Sequence, residues 1–291
     1  MKAEPLHYLT NKHGEVRIDR FVTVAAWSFG ALGLCLPLSI VGFLFARGVE
    51  VISWEFLTTA PGGLPLGVAG GIMPAIQGSL ELVGLGLLFA LPLGIGGAIY
   101  LSEYCTSQAL LKVTRFVTEC LAGIPAIVYG LFGYSFLVVA INLKASLLAG
   151  SITLGFVMFP LVLIGSHESM RSVNWVYRES ALALGVSRSY MVRRVVLKQT
   201  WPSIMAITLL AAGHAVGSAS PVLYTASIIY SRGGLDLNAP VMTLPTHLYY
   251  LVSEAISFEH AYGTALVLTM GLLLLNFTGR YLRRLSGKYG V

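Results

Sequence analysis

The sequence predicts an all-α membrane protein with six transmembrane helices. The chain has 291 residues, of which 56% are hydrophobic and 11% are charged, whereas a soluble domain carries about 25% charged residues. Apolar stretches of about 18 residues or more recur along it, and each is long enough to cross a bilayer as a helix. Because a membrane-spanning backbone must satisfy its own hydrogen bonds, and these stretches are continuous rather than alternating, we predict helices rather than a β-barrel.

The first half of the chain contains three of the predicted spans. Residues 1–20 form a polar, basic tail, and span 1 covers residues 21–46. This apolar stretch is too long for the core of a signal peptide, so we expect it to be retained. A loop rich in Gly and Pro over 47–70 leads to span 2 at 72–100, where internal prolines predict a kink. Span 3 covers 116–141.

The second half contains the other three spans and the longest polar interruption of the apolar sequence. Spans 4, 5 and 6 cover 146–166, 203–229 and 261–282. The interruption between spans 4 and 5, residues 167–202, carries six of the nineteen Lys and Arg residues of the chain. These six are Arg171, Arg178, Arg188, Arg193, Arg194 and Lys198.

The distribution of positive charge predicts how the spans are oriented. Sixteen of the nineteen Lys and Arg residues lie in the two tails, at the end of span 6 or in the connections that follow spans 2 and 4. The three exceptions are Arg47, Lys144 and Arg232. Because positive loops remain in the cytoplasm, both termini and the loop between spans 4 and 5 are predicted to be cytoplasmic. The membrane domain then covers 21–284, between cytoplasmic tails over 1–20 and 285–291, and the net charge of +6 gives no reason to expect a nucleic-acid partner.

The loop between spans 4 and 5 is predicted to contain two short helices. Asn174 can cap the first helix, which would run to Leu184, and Gly185 can adopt the left-handed conformation that ends a helix. Ser187 can cap the second helix, and Pro202 is expected to end it. One interpretation of this basic loop is an amphipathic helix at the membrane surface that binds anionic lipid headgroups.

The same loop contains a motif with a fixed spacing. Its residues are Glu179, Ser180, Ala181, Gly185, Val195 and Leu197. This spacing resembles the EAA motif of ABC importer permeases, which reads E-A-A, three residues, G, nine residues, I, one residue, L and P. Ser180 stands at the second position of the motif, and Lys198 stands where the final proline is expected.

Four further segments strengthen the resemblance. They read GGIMPAIQGSL from Gly70, PLGIGGAIYLSEY over 92–104, GIPAIVYGLFGY over 123–134 and SPVLYTA over 220–226. Together with the loop they are similar, in the same order, to the permeases of phosphate importers, particularly the PstA-type subunit. The resemblance covers about residues 60–230.

The resemblance implies an ABC type I importer permease of MetI-like architecture, in which the loop between spans 4 and 5 forms coupling helices. It implies three partners: a second, PstC-like permease, a cytoplasmic ATPase dimer that binds ATP and Mg, and an extracytoplasmic substrate-binding protein. It also implies a multi-pass protein of a prokaryotic plasma (inner) membrane. Phosphate is the favoured substrate, and phosphonate, molybdate and sulfate are the alternatives.

Within the motif, the resemblance suggests distinct roles for two residues. Glu179 is expected to pair with a basic group on the ATPase, and Gly185 is expected to permit the sharp turn between the coupling helices. The chain contains no G-x-x-x-x-G-K-[ST] phosphate-binding loop, so the ATPase must be a separate polypeptide. We therefore expect no catalytic, cofactor or metal site in this chain; its His167–Glu168 pair has no evident third ligand.

Polar residues within the spans are candidates for the translocation pathway. They are His214, Gly217, Ser218, Ser220, Pro221, Gln77 and Ser79. Polar groups in a span face the bundle interior, so internal hydrogen bonding between packed helices is the alternative interpretation. Glu81 is expected to face a polar cavity or to pair across helices, and Glu103 is expected at the membrane interface.

The candidate pathway departs from the family pattern at two positions. Phosphate-importer permeases carry an Arg, then a Gly-Glu pair, then a Pro; here Gly217 and Pro221 match, but His214 replaces the Arg and Ser218 replaces the Glu. An arginine is permanently charged and binds phosphate oxygens in a fork, whereas a histidine is only partly charged at neutral pH. Either the partner permease carries the charged pair or the substrate differs.

Two functions from other classes are alternatives. An intramembrane serine hydrolase would use Ser218 or Ser220 as nucleophile with His214 as base, although these residues lie on the same predicted helix. A secondary transporter or channel would not need an EAA-like loop, and its flux would survive the depletion of ATP.

Overall fold

The computed structural model describes residues 12–231 and 233–286, and these residues are mainly helical. The helices are α1 (Lys12–Gly48), α2 (Trp54–Thr58), α3 (Met73–Ile99), α4 (Gln108–Ala122), α5 (Ala126–Gly133), α6 (Leu147–Arg171), α7 (Trp175–Ala183), α8 (Arg188–Met191), α9 (Leu197–Val216), α10 (Ser220–Thr225), α11 (Leu244–Ser253) and α12 (Phe258–Ser286). Three π-helical segments continue α3, α5 and α8: π1 (Tyr100–Tyr104), π2 (Tyr134–Ala140) and π3 (Val192–Val196). Two short antiparallel strands, β1 (Pro61–Gly62) and β2 (Ala69–Gly70), pair Pro61 with Gly70.

The helical fold and the number of spans confirm the predicted fold class. In the described residues, five helical segments are long and apolar enough to cross a membrane. They are Asp19–Gly48, Met73–Tyr104, Leu147–Arg171, Arg188–Val216 and Phe258–Leu282. A sixth span is obtained if Gln108–Ala122 and Ala126–Ala140, which meet at a bend of 94°, count as one.

Span 3, predicted over 116–141, starts earlier in the structure and is sharply bent. Helix α4 begins earlier, at Gln108, where Ser107 caps it by accepting a hydrogen bond from the Leu110 N–H. Most of residues 101–115, which lie between the predicted limits of spans 2 and 3, are therefore helical. The helix then ends at Gly123, and Pro125 precedes α5, because a proline restricts the residue before it and lacks the N–H that a continuous helix needs.

The limits predicted for span 5 were also wrong. The helix runs without interruption from Arg188 to Val216, so Pro202 lies inside it and does not end it. An internal proline is tolerated in a membrane helix because surrounding groups satisfy the carbonyl that it leaves free. The helix ends at Gly217, and α10 follows as a separate short helix rather than as the last turns of the span.

The ends of the chain are more helical than the predicted tails. Helix α1 starts at Lys12, within the predicted N-terminal tail of residues 1–20, and α12 continues to Ser286, within the predicted C-terminal tail of 285–291. Residues 1–11 and 287–291 lie outside the described residues, as does Arg232, one of the three basic residues assigned to the extracytoplasmic side.

The core of the bundle is the contact between α3 and α6, where small residues let two helices approach closely. Buried Leu82 on α3 packs with Leu154 and Met158 of α6. A Cβ atom built at Gly94 would lie 2.7 Å from Val162 Cγ1 and 3.3 Å from the Leu163 backbone nitrogen. Glycine at this position is therefore required by packing rather than by backbone conformation.

We expect Gly94→Leu to lower the free energy of unfolding by about 1–3 kcal/mol or more, because the added side chain overpacks the contact between α3 and α6. Gly96→Leu is the matched control, since Gly96 lies two residues away on the same helix and a Cβ atom there meets no atom within 4 Å. Thermal unfolding of the purified protein in detergent measures the difference. Equal melting temperatures for the two variants would contradict this packing.

Candidate functional site: the loop between spans 4 and 5

The loop between spans 4 and 5 forms two helices with the predicted caps. The Asn174 side chain accepts a hydrogen bond from the Val176 N–H at 3.0 Å, and α7 follows. The Ser187 hydroxyl accepts one from the Tyr190 N–H at 3.3 Å, and α8 follows. Each cap satisfies a backbone N–H group that the first turn of a helix leaves without an intrahelical partner.

The turn between the two helices depends on Gly185. Its φ is +78°, which is the left-handed conformation that glycine adopts without steric cost. Its N–H donates to the Leu182 carbonyl at 2.9 Å, which closes the end of α7. A Cβ atom at Gly185 would have no neighbour within 4 Å, so the turn projects into open space.

The outward side of this loop exposes six large apolar side chains. They are Trp175, Val176, Tyr177, Leu182, Leu184 and Tyr190, and we call them, together with exposed Glu179, Ser180 and Gly185, the coupling surface. Leu184, at the tip, is 83% exposed. Apolar side chains gathered on a polar, basic loop are typical of a surface that binds a protein partner.

The inward side of the loop is fixed to the ends of three spans. Three motif residues, Ala181, Val195 and Leu197, pack partly buried against an apolar cluster that we call the loop core. The cluster consists of Ala98, Leu163, Met170, Val173, Met191, Val192, Val196 and Ile204. It joins α3, α6 and α9 to both helices of the loop, so the motif residues divide between an exposed set and a packing set.

A buried ion pair, which the sequence did not reveal, lies beside the loop core. Arg178 Nη2 donates to Glu103 Oε1 at 2.9 Å, and the two side chains are 6% and 3% exposed. Glu103, which was predicted at the membrane interface, lies at the end of the span and is buried against Arg178 rather than exposed. The two residues are 75 positions apart, so no local spacing links them. The only signal in the sequence is that an arginine directly precedes the motif residue Glu179.

The candidate pathway residues at the end of α9 lie beside a largely apolar cavity. Its volume is about 670 Å³, it lies between the α4–α5 bend, α6 and α9, and both His214 and Tyr129 line it. The Ser218 hydroxyl donates to the His214 carbonyl at 3.0 Å, which ties the serine to its own helix. The Tyr129 hydroxyl donates to the Leu121 carbonyl at 2.8 Å across the bend.

The remaining candidates lie in other surroundings. Ser220 and Pro221 begin α10, which packs against α5 so closely that a Cβ atom at Gly130 would lie 2.7 Å from the Ser220 carbonyl oxygen. On α3, the Ser79 hydroxyl donates to the Ala75 carbonyl and accepts a hydrogen bond from the Leu244 N–H at 2.8 Å. Ser79 therefore connects α3 to the start of α11 by a hydrogen bond.

Two polar side chains of α3 have no connection to the end of α9. Gln77 lies beside Gly233, where a Cβ atom would be 2.7 Å from its Oε1 atom. Glu81 is half-buried, and within residues 12–231 and 233–286 it makes no ion pair and no side-chain hydrogen bond. The structure thus brings His214, Gly217 and Ser218 together but not Gln77 or Ser79 with them.

Comparison with known sequences places the chain among transport permeases. Residues 90–288 match the family described as binding-protein-dependent transport system inner membrane component. The phosphate transport system permease protein PstA 2 of Mycobacterium bovis is 33% identical, over 93% of this chain and 91% of that protein. PstA of Yersinia pestis is 32% identical over 91% and 88% of the two chains. A probable ABC transporter permease of Bacillus subtilis, YqgI, is 27% identical over 87% and 92%.

Solved structures share the fold at low sequence identity. The structure of a bacterial alginate ABC transporter, in complex with an alginate-bound periplasmic protein, matches with a TM-score of 0.60 at 16% identity, over 94% of this chain and 98% of that one. An inward-facing MetNI methionine ABC transporter matches with a TM-score of 0.58 at 16% identity, over 73% and 96%. The architecture is therefore that of ABC importer permeases.

Proposed function

We propose that this chain, which belongs to the family of binding-protein-dependent transport system inner membrane components, is the PstA-type permease subunit of an ATP-driven phosphate importer. Members of this family are multi-pass membrane subunits of ABC importers, which work with a separate ATPase and a substrate-binding protein. Phosphate is proposed as the substrate because the chain is 33% identical to a phosphate permease over 93% of its length. Identity over nearly the whole length includes the spans that form the pathway, not only the loop.

The coupling surface is where the ATPase docks. A partner that buries the exposed side chains of α7 and α8 gains hydrophobic free energy, and Leu184 at the tip fits a groove on that partner. Glu179 is exposed at the same surface and is available to a basic group of the ATPase. ATP and Mg bind to the ATPase, so this chain supplies the docking surface and no nucleotide site.

This docking fixes the orientation of the chain. If the coupling surface faces the cytoplasm, six spans, with the bent α4–α5 pair counted as one, place both termini in the cytoplasm as well. The basic side chains of the loop, including Arg188, Arg193 and Arg194, agree with this assignment.

The pathway lies between this chain and a second, PstC-like permease. On this chain, His214, Gly217 and Ser218 contribute through the cavity that His214 lines. The half of the pathway with the charged Arg and Glu belongs to the partner, since His214 and Ser218 stand at the corresponding positions here. The contacts of Ser79 support a structural role for that residue instead.

We expect His214→Arg to retain phosphate uptake without a rise in the KM for phosphate. His214 is exposed at the cavity, so an arginine has room there, and its guanidinium attracts an oxyanion. Uptake by the complex in vesicles measures the effect, with His214→Leu as the uncharged control. Loss of uptake in His214→Arg alone would indicate a site adapted to something other than phosphate.

The substrate is tested by competition. The full complex, with its ATPase, second permease and binding protein, is placed in vesicles, and uptake of labelled phosphate is measured against excess sulfate, molybdate or methylphosphonate. Phosphate as substrate predicts that only unlabelled phosphate abolishes the uptake. A stronger effect of any other oxyanion would assign the importer to that oxyanion.

A further inference from the structure

We infer that Glu103 and Arg178 are positioning residues that carry the movement of the coupling helices into the span α3–π1. The inference rests on the proposed function, since it assumes that an ATPase moves α7 and α8. The movement would enter the membrane domain through Glu103, at the end of span 2, and Arg178, which directly precedes the exposed Glu179.

The ion pair forms a rigid connection, which we call the joint, because all three nitrogen atoms of the Arg178 guanidinium donate hydrogen bonds. Nε lies 3.3 Å from each oxygen of the Glu103 carboxylate, and Nη2 donates to Oε1 at 2.9 Å. Nη1 donates to the Val173 carbonyl at 2.5 Å, and Nη2 also donates to the Met170 carbonyl at 2.7 Å. The joint therefore holds the first coupling helix to both the end of π1 and the end of α6.

The joint is connected to the surface on which the ATPase docks. Trp175, which belongs to the coupling surface, contacts both Arg178 and Glu179. Its ring centroid lies 5.9 Å from Arg178 Cζ, and its Nε1 donates to Glu179 Oε1 at 2.6 Å. Arg178 and Glu179 are adjacent in sequence, but the arginine is buried and the glutamate is exposed. A force applied at Glu179 thus reaches Glu103 through direct contacts within α7.

The second coupling helix is held by the residue next to Glu103. Arg188 Cζ lies 5.2 Å from the ring centroid of Tyr104, and the Tyr104 hydroxyl is 3.4 Å from the Ser189 hydroxyl. Both coupling helices are thus attached to the last two residues of π1. A π-helical segment is wider than an α-helix and is a frequent feature of functional sites; here it directs Glu103 inward and Tyr104 outward.

Stability alone gives a weak reason for this arrangement. Removing two charges from water costs free energy that their attraction barely repays, and apolar residues of similar size stabilise a protein equally well or better. The apolar loop core beside the pair already joins the coupling helices to the ends of the spans. What the ion pair adds is a directed, hydrogen-bonded joint with one geometry, which is what the transmission of a movement requires.

The test compares breaking the joint with replacing it. Glu103→Gln leaves Arg178 buried without its counter-charge, so folding is expected to suffer. The double variant Glu103→Leu/Arg178→Leu removes both charges and is expected to fold. Glu119→Gln is the control, because it removes an exposed ion pair with Arg115 elsewhere in the chain. Each variant is made in the full complex in vesicles, and three quantities are measured: retention of the ATPase, ATP hydrolysis, and phosphate uptake per ATP.

We expect the double variant to retain the ATPase and to hydrolyse ATP, but to take up about 2- to 30-fold less phosphate per ATP, the range over which residues between coupled sites act. The control is expected to match the wild-type complex. Wild-type uptake per ATP in the double variant would overturn the inference and leave the proposed function intact. Absence of ATP-driven uptake by the wild-type complex would overturn the proposed function, and the inference with it.

Discussion

Gly185→Arg is expected to abolish phosphate uptake by the complex while the chain remains in the membrane at its normal level. The turn requires φ = +78° at this position, and a left-handed conformation costs a residue other than glycine about 1–2 kcal/mol. Because nothing lies within 4 Å of a Cβ atom there, the new side chain projects from the coupling surface into the space of the docked ATPase. The chain itself has room for it, so the defect lies in the docking.

The matched control for this substitution is Gly185→Asn, since asparagine adopts the left-handed conformation more readily than other residues and has a shorter side chain. We expect this variant to retain part of the uptake. The measurements are the amount of chain in the membrane, the amount of co-purified ATPase and the initial rate of phosphate uptake. Normal uptake by Gly185→Arg would contradict the assignment of this turn to the ATPase interface.

Leu184→Asp is expected to weaken the binding of the ATPase about tenfold or more, since each 1.4 kcal/mol corresponds to a factor of ten. Leu184 is 83% exposed in the isolated chain, and burial of a leucine against a partner contributes about 1.5–3 kcal/mol. An aspartate at the same position loses this contribution, and its carboxylate must be stripped of water on docking.

The control for Leu184→Asp is Leu235→Asp, which changes a leucine that is 66% exposed in the loop assigned to the opposite side of the membrane. Both variants should have the melting temperature of the parent chain, because neither leucine is in the core. Titration of the detergent-solubilised permease with the ATPase gives the two dissociation constants. Equal affinity for the two variants would exclude the tip of the loop from the interface.

The features of the loop that were predicted correctly are the local ones. Asn174, Gly185 and Ser187 act on backbone groups within three residues of themselves, so their roles follow from residue type and order. Such interactions do not depend on how the spans pack.

The errors concern features that depend on packing or on distant residues. Pro202 was expected to end a helix by its local chemistry, but the helix continues through it within the bundle. The joint between Glu103 and Arg178 connects residues 75 positions apart. The contact of Ser79 with the Leu244 N–H was likewise not predicted, because the two residues are 165 positions apart. Polarity within a span indicates a buried polar contact, but it does not identify the partner.

The central claim is that a separate ATPase drives transport through this chain by acting on the loop between spans 4 and 5. The most direct test is phosphate uptake by vesicles that contain the full complex, with and without ATP, in the presence of a protonophore. The account predicts uptake that requires ATP, persists when the protonophore collapses the proton gradient, and is lost in Gly185→Arg. Uptake that continues without ATP and ceases with the protonophore would contradict it and identify a secondary transporter.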